Sequence, residues 1–176
     1  NDFATSLGLP TDVLQATSVL YQGEPIEIDV GKFQKEHFSY VAAFGLFADV
    51  SYGTSQGLKN MFGHAAYVLE GMRRLGNIRS WHCRVEADGV TYEDDFIFGM
   101  VTNSASVGGF TLPSTVNESG EGFKLILLKK MSSLFDLQKV IATLLGREHH
   151  TEHFIITSVK DVTIYSDTPL DWTLDG

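Results

Sequence analysis

Residues 79–103 read RSWHCRVEADGVTYEDDFIFGMVTN, and the fold class turns on them. Asp88-Gly89 stands between two runs rich in β-branched and aromatic residues. An Asp-Gly pair favours a two-residue hairpin turn, because both central positions need positive φ. An antiparallel sheet is therefore the starting point. Downstream, 104–122 reads as a long loop, FKLILLKK (123–130) as a short apolar strand, and Ser133 to Leu145 as a helix. That helix has Leu134, Leu137, Ile141 and Leu144 on one face, a capping-box-like Ser133/Asp136 pair at its start and Gly146 as its stop. EHFIITSV, DVTIYS and LDWTLDG, from 152 onward, read as two or three closing strands.

Upstream, the spacing predicts a helix over 58–75, with Leu58, Met61, Phe62, Ala65, Val68, Leu69, Met72 and Leu75 on one face. Ahead of it, EPIEIDVGKF (24–33) alternates Ile26, Ile28 and Val30 against Glu27 and Asp29, which predicts a half-buried strand. Gly31-Lys32 is read as its turn, and HFSYVAAFGL (37–46) as the returning strand. Two helices open the chain: Asn1 to Leu7, stopped by Gly8, and about Thr11 to Tyr21, capped by Thr11 or Asp12. Strands dominate, with one long and one medium helix packed on them.

The 176 residues suffice for one domain with a full core. At 43% hydrophobic and 20% charged, the chain has the composition of an ordinary globular domain. Its formal charge of −9 argues against a nucleic-acid partner and against membrane binding driven by charge. No apolar run reaches the roughly 18–20 residues of a bilayer span. A single cysteine, Cys83, makes no internal disulfide and fits a reducing cytoplasm. The chain has no GxxxxGK[ST] and no GxGxxG, so a nucleotide-phosphate cradle would have to come from elsewhere.

Six stretches, in this order, carry a resemblance: NDFATSLGLP (1–10), EIDVGKFQKEHFSYVAAFGLFADV (27–50), LKNMFGHAAYVLEGMRRL (58–75), FGMVTNSASVGGF (98–110), ESGEGFKLILLKK (118–130) and the final TLDG. They resemble the bacterial diacylglycerol kinase-like lipid kinases, a family that includes sphingosine and ceramide kinases. The first is similar to the end of a G-T-x-N-D-F-A segment, the fourth to an N-x-x-x-x-G-G turn, the fifth to a D-D-G-x-[FLY]-x-[LV] segment and the last to the start of L-D-G-E. The resemblance implies a two-layer β-sandwich-like C-terminal domain with helices. It also implies that an ATP-binding N-terminal domain precedes it in the whole enzyme. Residues 1–20 would then be a remnant of the nucleotide-domain motif with a connecting helix, and 21–176 the β-rich domain. On this reading the chain is a piece of a larger enzyme, cut inside one motif at each end and inactive alone.

The resemblance also implies site residues. Asn1 and Asp2 match the N-D of the first motif, near ATP-bound Mg²⁺ and the transferred phosphoryl group; read without it, either is a helix N-cap. A structural Mg²⁺ would take the Glu121 carboxylate and the backbone carbonyls of Glu118 and Phe123. Glu121 stands where the family usually has Asp, and Mg²⁺ tolerates a displaced oxygen badly; the plain alternative is an exposed acidic loop. Asp175 matches the Asp of L-D-G-E, two positions before the Glu that is the family's general base; otherwise it is an Asp-Gly turn. His149, His150 and His153 look like a metal cluster but lie beyond a helix stop, so loop histidines are the default. Cys83 is read as a buried structural thiol, and the aromatic-rich 38–52 as core, with a lipid groove as the alternative.

The expected whole protein is thus an ATP- and Mg²⁺-dependent kinase acting on a hydroxyl of diacylglycerol or a related lipid. It would be cytoplasmic and would touch the inner membrane face transiently through apolar rim residues. The sequence leaves a homodimer open. Two rivals remain: a non-catalytic β domain that binds lipid or another small ligand, and an NAD kinase-like enzyme.

Overall fold

The computed structural model describes residues 2–45, 79–104, 106–107, 110–111, 122–144 and 152–175. The helix expected over 58–75 lies outside them. So do Asn1, Glu118, Glu121, His149 and His150.

The Asp88-Gly89 turn is as the sequence predicts. β4 (Trp81–Ala87) and β5 (Val90–Thr102) pair antiparallel from Ala87↔Val90 to Trp81↔Phe96. Both turn residues have positive φ, 47° and 86°, the conformation that matches the twist of the flanking strands. The Asp88 carboxylate also accepts from the Lys160 and Asp161 amides at 3.0 and 2.9 Å, which ties this turn to the chain at 160–161.

β5 organises the sheet. β3 (Val41–Gly45) pairs with its second half, from Val41↔Thr102 to Gly45↔Phe98. β8 (Phe123–Lys129) pairs along its other edge, and β9 (Phe154–Val159) follows β8. β4 and β3 therefore lie end to end along one edge of β5. The register against β8 shifts between Phe96 and Phe98; such a bulge bends a strand and adds twist. β10 (Val162–Ser166) flanks β4 and β11 (Trp172–Leu174) flanks β3. These two strands end opposite arms of the sheet, yet Val162, Ile164 and Trp172 pack on one core. The sheet is curled into the expected two-layer, sandwich-like arrangement.

Alternation divides its side chains between two faces. Leu125 and Leu127 join Phe44, Cys83, Val85 and Phe96 inside the curl. Ile126 and Leu128 join Val41, Ala43 and Met100 on the other face. The helix α3 (Leu134–Leu144) covers that second face through Val140. The Ser133 hydroxyl caps it, accepting from the Asp136 amide at 3.1 Å. Cys83 is fully buried, and burial pushes its thiol pKa up, as befits a structural thiol.

At the front, α1 (Asp2–Ser6) ends where expected, with Gly8 at φ 72° and the Leu9 amide donating to Ala4 O. α2 (Val13–Gln22) is capped by Asp12, whose carboxylate accepts from the Gln15 amide at 3.0 Å.

The expected strand over 24–30 needs correcting. Among the described residues that stretch pairs with no strand, and Ile26, Ile28 and Val30 are exposed. The strand is the shorter β1 (Gly31–Phe33), and it pairs with β2 (Glu36–Phe38). Its turn falls at Gln34-Lys35, with Gln34 at φ 54°. Gly31 draws a turn assignment, but what it supplies is room: a Cβ there would overlap the Phe38 ring opposite. The single returning strand expected over 37–46 is also broken. β2 and β3 are separated by Ser39-Tyr40, whose amides are held by a carboxylate instead of a strand partner. The loop read over 104–122 contains a small ladder, β6 (Ser106–Val107) with β7 (Phe110–Thr111).

Candidate functional site

The break at Ser39-Tyr40 is where the two ends of the chain meet. Asp175, just past β11, has φ 56° and donates its amide to Val41 O at 2.8 Å. Its Oδ1 accepts from the Tyr40 and Val41 amides at 2.9 and 3.0 Å. Its Oδ2 accepts from the Ser39 amide at 2.9 Å and the Ser39 hydroxyl at 3.2 Å. Burial raises the carboxyl pKa, but the bonds from Ser39, Val41 and Tyr40 outweigh it and hold the group below its usual range.

The other end arrives through α1. The Phe3 ring lies 5.6 Å from the Tyr40 ring, so Asp2 heads a helix docked on the same dipeptide. Tyr40 O accepts from the Thr102 hydroxyl at 2.8 Å and the Asn103 amide at 3.0 Å. The Asn103 side chain donates to Asp29 O at 3.1 Å. Stretches near positions 2, 29, 40, 103 and 175 are thus gathered around one backbone segment.

A cleft of about 340 Å³ opens on the inner side of the sheet, beside this knot. Phe38 and Ala42, which flank the Ser39–Val41 segment, line it, as do Val101, Ile164 and Trp172. The β1–β2 hairpin leans over the cleft, with Phe33 against Trp172 at 4.8 Å and Phe38 against Phe123 at 5.2 Å. Lys32 and Lys160 also border it. Its aliphatic and aromatic walls suit an apolar chain, and its lysines an electron-rich group.

For the residues named from sequence, the outcome is mixed. Asp175 is part of the knot, where each of its carboxylate oxygens accepts two hydrogen bonds. Phe123 opens β8 opposite Val159 and puts its ring in the cleft wall; the other two residues expected with it around Mg²⁺ lie outside the described residues. His153 sits against Asp136, Nε2 to Oδ1 3.4 Å, between α3 and β9. Among the described residues no group of three or more His, Cys, Asp or Glu is placed to hold a metal ion. Sequence reasoning missed Ser39 and Asn103. The signal available for Ser39 was a polar interruption, Ser39-Tyr40, in an otherwise apolar run; Asn103 is the first residue of the N-x-x-x-x-G-G stretch.

Replacing Asp175 by Ala leaves three backbone amides at a strand start without their acceptor. The expected loss is about 1–2 kcal/mol, in the range of other carboxylate caps, read from urea unfolding. A folded pKa below the unfolded one means the carboxylate stabilises fully above the ordinary Asp pKa. That contribution fades as pH falls through the lower, folded value. The gap between wild type and Asp175→Ala should therefore close below about pH 4 and stay constant from pH 6 to 8. A gap unchanged down to pH 2 contradicts the clamp.

No protein-family model matches the chain. It is 32% identical over 179 residues to the diacylglycerol kinase of Bacillus subtilis (strain 168), covering all of this chain and 59% of that protein. It is 30% identical over 178 residues to the diacylglycerol kinase of Staphylococcus carnosus (strain TM300), covering 58% of it. The chain thus spans about three fifths of the length of these relatives. A crystal structure of a diacylglycerol kinase from Bacillus anthracis str. Sterne superposes on all of it with a TM-score of 0.68 at 23% identity, covering 58% of that chain. At that identity the superposition establishes the fold alone. The resemblance drawn from the six sequence stretches therefore holds across the whole chain in sequence, and in fold.

Proposed function

We propose that this chain is the lipid-side domain of a bacterial diacylglycerol kinase-like enzyme, which transfers the γ-phosphoryl group of ATP to a hydroxyl of diacylglycerol or a related lipid. The observation that carries the reading is the cleft beside the knot, walled in part by Phe38, Val101, Ile164 and Trp172, where stretches matching four of that family's motifs come together. Kinases named for diacylglycerol, similar over the whole chain, support the reaction class.

Phosphoryl transfer asks mainly for positioning and charge neutralisation. In this reading the cleft takes an acyl chain and so fixes the hydroxyl at its mouth. Asp175 holds the Ser39–Val41 backbone in place beside the cleft. Asp2 supplies a hard carboxylate oxygen of the kind Mg²⁺ accepts. ATP with Mg²⁺ supplies the phosphoryl group and the positive charge that offsets its oxygens; the phosphate cradle belongs to the remainder of a protein as long as the relatives. Contact with a membrane is through apolar groups, since the chain carries a formal charge of −9. No helix among the described residues is long and apolar enough to cross a bilayer.

The chain has two tryptophans, and Trp172 lines the cleft. Trp81→Phe leaves it as the one indole reporter. Diacylglycerol brominated on its acyl chains should then quench Trp172 saturably, and unbrominated lipid should compete. Absence of saturable quenching removes the acyl chain from the cleft and favours a water-soluble acceptor, as in an NAD kinase-like enzyme.

A further inference from the structure

We infer that the β1–β2 hairpin is a lid on the cleft, which turns about Ser39-Tyr40 to admit an acyl chain and then closes over it. The hairpin is a sheet of its own. Gly31–Phe33 and Glu36–Phe38 pair with each other, and among the described residues neither strand pairs with the seven-stranded sheet. A two-stranded hairpin without a third strand is marginally stable in water at best. What it rests on therefore decides where it lies.

It rests on the cleft. Gly31, Phe33 and Phe38 all line it. Gly31 and Phe33 stand two apart on β1 and so share a face, and Phe38 is the ladder partner of Gly31. That face is seated by two ring contacts, Phe33 on Trp172 at 4.8 Å and Phe38 on Phe123 at 5.2 Å. Lys32, Gln34, Lys35, Glu36 and His37 are exposed. The hairpin is thus a flap with an apolar underside and a wet back. Beneath it the floor is nearly closed to solvent, with Ala42 1% and Val159 4% exposed. A chain that is to lie along this floor has to lift the hairpin first.

The two ends of the flap are held unequally. After it, the Ser39 and Tyr40 amides are clamped by the Asp175 carboxylate, which makes a fixed pivot. Before it, 24–30 pairs with no strand among the described residues, and a side-chain bond from Asn103 tethers Asp29 O at 3.1 Å. A short element pinned at one end and lightly tethered at the other moves as a unit, with its change of shape confined to a few hinge residues. Closed over an acyl chain, its rings take the place of water along one side of that chain.

This inference rests on the reading that the cleft takes an acyl chain, and its test separates the two. Amide hydrogen exchange is followed in the full-length protein, with empty mixed micelles and with micelles carrying diacylglycerol. In empty micelles the ladder amides of 31–38 should exchange at least about 100-fold faster than those of β4–β5, because they open without the sheet. Diacylglycerol at about ten times its Kd should slow them about 10-fold and leave β4–β5 unchanged. Hairpin amides as protected as those of β4–β5 in empty micelles overturn the lid, whatever the lipid does. Fast exchange that no lipid slows takes the acyl chain out of the cleft and overturns both readings. A lock supplies the second measurement. Phe33→Cys/Trp172→Cys is joined by a cleavable bis-thiosulfonate linker; Cys83 is fully buried and does not compete for it. Joining should cut phosphoryl transfer to diacylglycerol at least about 10-fold relative to the unjoined form of the same variant, and reductive cleavage should restore it. An unchanged rate in the joined protein, or a loss that cleavage does not reverse, overturns the lid. If the unjoined variant transfers nothing, hydrogen exchange in the wild type decides alone.

Discussion

Phe44→Ala should lower the unfolding free energy by about 3–5 kcal/mol, the loss typical of a buried Phe truncation. Phe44 is fully buried at the centre of the inner face. Its ring meets Trp172 at 5.0 Å and Trp81 edge-on at 6.1 Å, so it joins the β11 and β4 arms of the curled sheet. It sits opposite Gly99 on β5, where a Cβ would overlap the ring. The site is therefore shaped for an aromatic side chain, and β5 cannot easily move to fill the void. Urea unfolding reads the change directly. A loss under about 1 kcal/mol would be that of an exposed position, and the two-armed core would then be wrong.

Asp2→Asn should do the opposite: little to stability and much to rate. Asp2 opens α1, whose Phe3 ring meets Tyr40, and the amide of Asn is near-isosteric with the carboxylate. If Asp2 meets Mg²⁺ or the transferring phosphoryl group, removing its charge should cut kcat by about 10²–10³-fold, as for other groups that stabilise transition-state charge. The melting temperature should stay within about 2 °C, since the substitution removes a charge and leaves the shape of the side chain. The measurement uses the full-length protein at saturating ATP. A normal kcat would reduce Asp2 to a helix-start residue.

The sheet was readable where local chemistry alone decides it. Asp88-Gly89 specifies its turn through φ, and Ser133 specifies the start of α3 through one side-chain acceptor. The reading failed where a distant partner decides. Ile26, Ile28 and Val30 alternate like strand residues, but alternation only says that one side wants cover. Likewise HFSYVAAFGL looks continuous, and it is Asp175, 135 positions beyond Tyr40, that takes the Ser39 and Tyr40 amides out of the ladder. The same distance hid the knot. The motifs at 2, 103 and 175 could each be recognised alone, but nothing local says that all three close on Tyr40. The cleft was hidden because its walls read as core: Phe38, Ala42 and Trp172 have the pattern of packed strand residues, and only the curl of the sheet leaves space between them.

The most direct test of the lipid-side assignment is phosphoryl transfer by the full-length protein. It is incubated with Mg²⁺, γ-labelled ATP and mixed micelles of diacylglycerol, with NAD offered in parallel. Label is expected in the lipid fraction, as the phosphomonoester of the diacylglycerol hydroxyl, with a rate that falls in Asp2→Asn. Label in NAD, or no transfer to any hydroxyl-bearing lipid in a panel by protein that binds ATP, would contradict it.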